Sequence, residues 1–231
     1  MKRKRVLVTA GNTSVPIDRV RVISNIFKGR TGAGIAHYFS EHGCDVTLLT
    51  SHPDFVKMPD GNITMLDYRY YDELMAMMRD QVTDGRFDTI IHSAAVSDYM
   101  PDETFSETDS LTSGKKTAVI LEALSKGGKI GSDHKRLWMS FIQTEKIVDK
   151  IRRDWGFTGT LVKFKLQVDM TDEELIAVAT RSMATSRANF IVANTLNEMT
   201  HKAFIISAEG GEPLLVTRET LPAELMKAVF P

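Results

Sequence analysis

Cysteine is almost missing from this chain. Cys44 is the single one among 231 residues, which excludes an internal disulfide and any zinc site built from several thiolates. It follows a glycine and opens an apolar stretch, the setting of a small core residue rather than a nucleophile. No apolar run approaches the ~18 residues that mark a membrane-spanning helix. The stretch behind the basic start Met1-Lys2-Arg3-Lys4-Arg5 lacks the length and the small-residue cleavage site of a signal peptide. A cytoplasmic protein without membrane partners is expected. Neither charge is in excess: 29 Lys plus Arg against 30 Asp plus Glu leave −1, so nothing in bulk attracts nucleic acid or anionic lipid. Any anion site has to be local.

What is present reads as an α/β protein. Hydrophobic residues make up 42% and charged residues 26%, the balance of a globular domain. Residues 5–9 are a strand feeding a loop, residues 14–28 are a second loop, and a helix follows Gly29 and runs to about His42, stopped by Gly43. Strands over 45–50, 62–66 and 87–92 alternate with a helix over 71–82 whose inner face carries Leu74, Met77, Met78 and Val82. That alternation implies right-handed crossovers and a mostly parallel sheet. From about Glu103 the rhythm changes: 103–117 is polar enough to be a surface loop, 118–126 suits a short helix or strand, and 136–142 alternates in part. A helix over 145–154, a strand over 160–166, a helix opened by the capping box Thr171-x-x-Glu174, and a strand over 189–194 follow. A hairpin over 203–217 and a short terminal helix end the chain.

The segment His92-Ser93-Ala94-Ala95-Val96-Ser97-Asp98 stands where open α/β sheets bind ligands, just beyond a buried strand. Small residues there admit a ligand to the backbone, and Asp98 offers it a polar contact. A dinucleotide oxidoreductase is one candidate. Against it, Gly29-x-x-Gly32-x-Gly34 lies about twenty residues beyond the first strand rather than in the turn after it. The second strand ends Leu49-Thr50-Ser51-His52, without the carboxylate that holds the ribose hydroxyls of NAD. No Tyr stands four residues before a Lys, as the proton-transfer pair of short-chain dehydrogenases requires.

Several blocks lie in order along the chain: Val8-Thr9-Ala10-Gly11-Asn12-Thr13 with Ile17-Asp18, Val20-Arg21-Val22-Ile23-Ser24-Asn25, and Gly29-Arg30-x-Gly32. Ala94-Ala95-Val96-Ser97-Asp98-Tyr99, Lys129-Ile130-x-Ser132, Phe164-Lys165-Leu166-x-x-Asp169 and Ile191-Val192-Ala193-Asn194 continue them. Together they resemble phosphopantothenate–cysteine ligase over nearly the whole length. The Phe-Lys-Leu block, with no fused flavin domain, is similar to the free-standing type.

The resemblance implies a reaction in which a nucleoside triphosphate activates 4′-phosphopantothenate as an acyl nucleotide, pyrophosphate leaves, and the amine of L-cysteine attacks the acyl carbon. It implies a three-layer Rossmann-like core in one domain over 1–231, with core residues about 1–104 and 160–200. Flap and dimerisation elements would lie at about 105–159 and 201–219, in a homodimer. Asn25 would hold the acyl nucleotide and Ala95 would leave room for substrate. Lys129, behind Gly127-Gly128, would be a mobile cation. Gly11, Lys28, Gly29, Gly32, His92, Asp98, Glu145, Lys146, Ile147 and Phe164 would line the nucleotide site. CTP is favoured over ATP, with Mg2+ accompanying the triphosphate; metal ligands are not identified.

Departures from the family pattern are local. Phe27-Lys28 replaces two hydroxyl residues, Asn12 replaces a glycine, and Gly131 and His134 stand where some members carry lysines. Gln143-Thr144-Glu145 replaces a Lys-Thr-Pro. Lys28 could return a charge to the phosphates. An NAD(P)-binding oxidoreductase and a non-catalytic nucleotide-binding relative are the alternatives.

Overall fold

In the computed structural model, residues 3–55, 63–84, 86–113, 116–124 and 128–231 are described. They divide into two units: Met1–Thr13, Ile26–Ala95 and Lys146–Pro231 form the first, Ser14–Asn25 and Val96–Glu145 the second. In chain order the elements are β1 (Arg5–Ala10), β2 (Ser14–Pro16), β3 (Val22–Ser24), α1 (Arg30–Glu41), β4 (Asp45–Thr50), β5 (Ile63–Asp67), α2 (Tyr71–Thr83) and β6 (Thr89–His92). Then come β7 (Tyr99–Ser113), β8 (Lys116–Ala123), β9 (Leu137–Gln143), α3 (Ile147–Arg153), β10 (Thr160–Gln167) and α4 (Asp172–Ser186). The last are β11 (Phe190–Thr195), β12 (Ala203–Ser207), β13 (Leu214–Val216) and α5 (Leu221–Val229).

The first unit is built on an eight-stranded sheet ordered β13-β12-β11-β10-β6-β1-β4-β5. All pairings from β5 across to β11 are parallel, and β12 and β13 close one edge antiparallel. Helices cover both faces, so the central strands are apolar throughout: Val6, Leu7 and Val8 are wholly buried. On one face Ile35, Ala36 and Phe39 of α1 and Leu221, Leu225 and Val229 of α5 pack with Val6, Val8, Leu48, Ile91, Val162 and Val192. On the other, Lys163 reaches from β10 to α4, donating to the Ser182 carbonyl at 3.0 Å. These are the three layers of a Rossmann-like core, as expected from the strand–helix alternation.

Local signals read from the chain are visible here. Thr171 caps α4, accepting from the Glu174 amide while the Glu174 carboxylate accepts from the Thr171 amide. Gly43, at φ 87, ends α1. Arg152 of α3 ties neighbouring segments together, donating to the carbonyls of Phe157, Gly159 and Arg187 and to Asn189 Oδ1.

The hairpin over 201–219 extends the large sheet: β12 pairs with β11 (Ala193 opposite Phe204) and buries Ala203, Phe204, Ile205 and Ile206. Helix α3 belongs to the first unit as well.

The second unit holds the short β2–β3 hairpin and the three-stranded antiparallel sheet β8-β7-β9. Two expected loops are strands here. Residues 14–28 contain β2 and β3, and of the polar stretch 103–117 residues 103–113 lie in β7 and residues 116–117 open β8. Backbone ladder bonds on both sides hold β7, so it needs no apolar run. Its register against β9 shifts between Pro101 and Thr104, as suits a proline with no amide hydrogen to give.

Candidate functional site

The chain moves outward from β1 to β4 and β5 and then returns to β6, so the crevice between the carboxyl ends of β1 and β6 is the topological switch point of the sheet. The two loops leaving it are zipped together. Ala95 N–H donates to the Gly11 carbonyl at 2.8 Å, and Thr13 N–H donates to the Ala95 carbonyl at 3.2 Å. The first turn of α1 presses against the same ends. A Cβ on Gly29 would stand 2.7 Å from Gly11 Cα, and one on Gly32 would stand 2.9 Å from Ala10 Cβ. Gly29 also has φ 76, which disfavours any side chain. The glycines therefore bring the amino end of α1, free of acidic residues in its first turn, to the crevice. The positive end of the helix dipole suits an anion there.

Behind this edge lies a buried polar row. Thr9 Oγ1 accepts from the Ala94 amide at 3.1 Å and lies 3.0 Å from His92 Nδ1. Burial, with the Lys163 charge beside it, pulls the His92 pKa down to about 4. At neutral pH the ring is uncharged. Lys163, opposite His92 in the β10–β6 register, is itself lowered to about 8 by burial.

Asn12, which replaces a family glycine, spans from the β1 loop to the β4 loop. Its Oδ1 lies 3.1 Å from the donating Ser51 Oγ and 3.0 Å from His52 Nε2, and its amide donates to Ser51 Oγ at 2.9 Å. Ser51 and His52 occupy the place where a dinucleotide enzyme carries its ribose carboxylate. Tyr68 donates to the Ala10 carbonyl at 2.8 Å, and burial raises its pKa. The contacts of Thr9, Asn12 and Tyr68 are not legible in the sequence, although Thr9 and Asn12 lie in its first block. Only the replaced glycine at Asn12 gave a signal.

Of the expected site residues, the switch-point edge gathers Gly11, Gly29, Gly32, His92 and Ala95, with exposed Lys28 directly before Gly29. Lys146 is the exposed residue preceding α3, and Ile147, buried, opens that helix. Phe164, partly buried, packs on the α1-side core. The second unit carries Asn25 directly after β3, exposed Asp98, exposed Glu145 and exposed Lys129. There Thr144 fixes the segment after β6: it donates to the Ser97 carbonyl from Oγ1 at 2.6 Å and to the Asp98 carbonyl from its amide at 2.9 Å. Gly127, one of the two glycines ahead of Lys129, lies outside the described residues.

Among the described residues no three His, Cys, Asp or Glu side chains converge as a metal site, and no helix is long and apolar enough to cross a membrane.

Comparison with known proteins places this architecture. The coenzyme A biosynthesis bifunctional protein CoaBC of Thermococcus kodakarensis is 29% identical over 223 residues, covering 95% of this chain and 46% of that protein. The chain thus spans about half the length of the curated relatives it matches. The crystal structure of the DNA/pantothenate metabolism flavoprotein from Streptococcus pneumoniae superposes with a TM-score of 0.82 at 26% identity, covering 99% of this chain and 98% of that one. A Cab2 mutant solved in complex with phosphopantothenate-cysteine shares the fold at a TM-score of 0.73 and 17% identity, over 97% of this chain and 86% of that one. The family model for the DNA/pantothenate metabolism flavoprotein C-terminal domain matches residues 1–122, and the chain belongs to that family.

Proposed function

We propose that the protein is a ligase of coenzyme A biosynthesis that joins 4′-phosphopantothenate to L-cysteine through an acyl-nucleotide intermediate. The observation that carries this reading is the meeting of Gly11, Gly29, Gly32 and Ala95 at the switch point, in a chain of this family. A carboxylate oxygen of the acid attacks the α-phosphorus of the nucleotide and pyrophosphate leaves. The cysteine amine then attacks the acyl carbon, loses a proton, and the nucleoside monophosphate departs.

The chain's residues take these roles. The α1 amino end and Lys28 hold phosphate oxygens. Asn25 fixes the acyl carbonyl through its amide, and Lys129 offsets the charge that develops on the phosphates as pyrophosphate leaves. His92, uncharged and held by Thr9, positions the edge rather than carrying charge. CTP is the favoured nucleotide over ATP. Mg2+ would enter with the triphosphate, which supplies oxygen ligands of its own. A cytoplasmic homodimer completes the reading; exposed Tyr99, Trp138, Phe141 and Ile142 on the β7–β9 sheet support an interface between copies.

Incubation with 4′-phosphopantothenate, cysteine, Mg2+ and CTP or ATP tests the proposal. Pyrophosphate release that requires the acid is expected. Nucleotide binding without such release would leave a non-catalytic binding protein, and binding of NAD(P) alone would overturn the assignment.

A further inference from the structure

We propose that Asp18 and Arg21 are positioning residues for Lys129, which they hold by clamping both backbone polar groups of the next residue, Ile130. Asp18 Oδ1 accepts from the amides of Val20 at 2.9 Å and Arg21 at 2.8 Å, shaping the turn between β2 and β3. Its other oxygen, Oδ2, accepts from Arg21 Nε at 2.9 Å and from the Ile130 amide at 3.1 Å. Arg21 Nη2 in turn donates to the Ile130 carbonyl at 3.0 Å. All of these residues belong to the second unit.

Three features lift this above a surface ion pair. An exposed Asp–Arg pair three residues apart contributes little by itself. Here the Asp18 side chain is only 2% exposed while that of Arg21 is 42% exposed, so the carboxylate is sealed by its own partners. The Arg21 guanidinium and the converging amides keep it ionised, well below the usual carboxylate range. Secondly, the turn is already fixed by the Val20 and Arg21 amides and by Ile17 N–H donating to the Arg21 carbonyl at 2.9 Å. The bonds to Ile130 are additional to what the turn requires. Thirdly, Lys129 and Ile130 lie between β8 and β9 in neither helix nor strand, where backbone groups must find partners elsewhere. Ile130 finds both in charged side chains more than a hundred residues away in sequence. The Lys129 backbone is thereby held beside a fixed point while its side chain stays exposed.

The functional half of the proposal rests on the ligase reading, in which Lys129 meets the nucleotide. The structural half does not, and trypsin reads it directly, because the bond it cuts after Lys129 is the Lys129–Ile130 peptide. A clamped peptide resists the protease, and cleavage follows the open population. Mass spectrometry of limited digests is expected to show cleavage at this bond rising about tenfold or more in Asp18→Asn and in Arg21→Gln. Arg21→Gln leaves the Asp18 turn bonds in place and guards against loss of the turn itself. In the ligation assay, Arg21→Gln is expected to lower kcat about tenfold in the wild-type background, yet less than about twofold when Lys129 is already alanine.

Unchanged cleavage in both variants would overturn the clamp, whatever the activity. Faster cleavage with equal loss of kcat in both backgrounds would overturn action through Lys129. Faster cleavage in a protein whose wild type shows no acid-dependent pyrophosphate release would overturn the ligase reading and uphold the clamp.

Discussion

Gly29 packs directly on the backbone of Gly11, so closely that a Cβ at Gly29 would stand 2.7 Å from the Gly11 Cα. This contact, more than any side chain, brings the amino end of α1 to the end of β1. Gly29→Ala has to push the two backbones apart and also adopt φ 76. A loss of about 2–4 kcal/mol in denaturant unfolding is expected, with nucleotide binding weakened in the folded fraction. Gly34 gives the control: it sits in the same helix with nothing within 4 Å of its would-be Cβ. Gly34→Ala is expected to stabilise by about 0.5–1 kcal/mol through helix propensity. Equal effects of the two substitutions would refute the packing argument.

The readable parts of this fold were those whose signal is local. β1, β4 and β6 announce themselves as apolar runs because both faces of the sheet are covered, and Thr171–Glu174 marks its helix within four residues. β7 was hidden for the opposite reason. Its stability comes from ladder bonds to β8 and β9, which any residue with a backbone N–H can make. The hairpin of β12 and β13 was found, but its partner strand was not, since pairing with β11 is set by tertiary packing. At the site, the glycine loop was legible as a spacing. The contacts that organise it were not: Asn12 to Ser51 and Thr9 to His92 join residues 39 and 83 positions apart.

His92 makes the stability depend on acid. Its pKa in the fold, about 4, lies below the ~6.5 of an unfolded histidine, so the unfolded chain binds the extra proton more readily. Stability from this group is complete above about pH 6.5 and falls as pH drops toward 4, by about 3 kcal/mol over that window. Asp154, held at about 2 by Arg153 and Lys150, loses its contribution only as pH falls below the usual carboxylate range and does not blur the window. Urea unfolding of His92→Gln between pH 7 and 4 is expected to give a much flatter profile than wild type. A parallel profile would show that another group carries the dependence.

Arg152 is a structural counterpart to the site residues. Its guanidinium serves the Phe157, Gly159 and Arg187 carbonyls and Asn189 Oδ1, joining the ends of α3, α4 and the start of β10. Arg152→Ala leaves several of these acceptors without a donor, and a loss of about 2–4 kcal/mol is expected in thermal or urea unfolding. Activity per folded molecule should hold, because none of these contacts reaches the switch-point loops. A kcat loss at full folding would place Arg152 in the site instead.

Asn25 and Lys129 carry the chemical half of the proposal, and their substitutions separate its two steps. Asn25→Asp keeps size but exchanges an amide donor for a carboxylate, which repels the acyl nucleotide it should hold. Lys129→Ala removes a cation whose value is greatest when charge builds in the transition state. Each is expected to lower turnover by more than about tenfold, in the range seen when a single stabilising donor is removed. Rapid quench with labelled nucleotide distinguishes them further. If Asn25 acts on the intermediate, Asn25→Asp should slow product formation from it, so that acyl nucleotide accumulates in the presence of cysteine. If Lys129 acts on the phosphates, Lys129→Ala should slow the first release of pyrophosphate. Wild-type turnover in both variants would remove these residues from the mechanism, and a slow step reversed between them would exchange their roles.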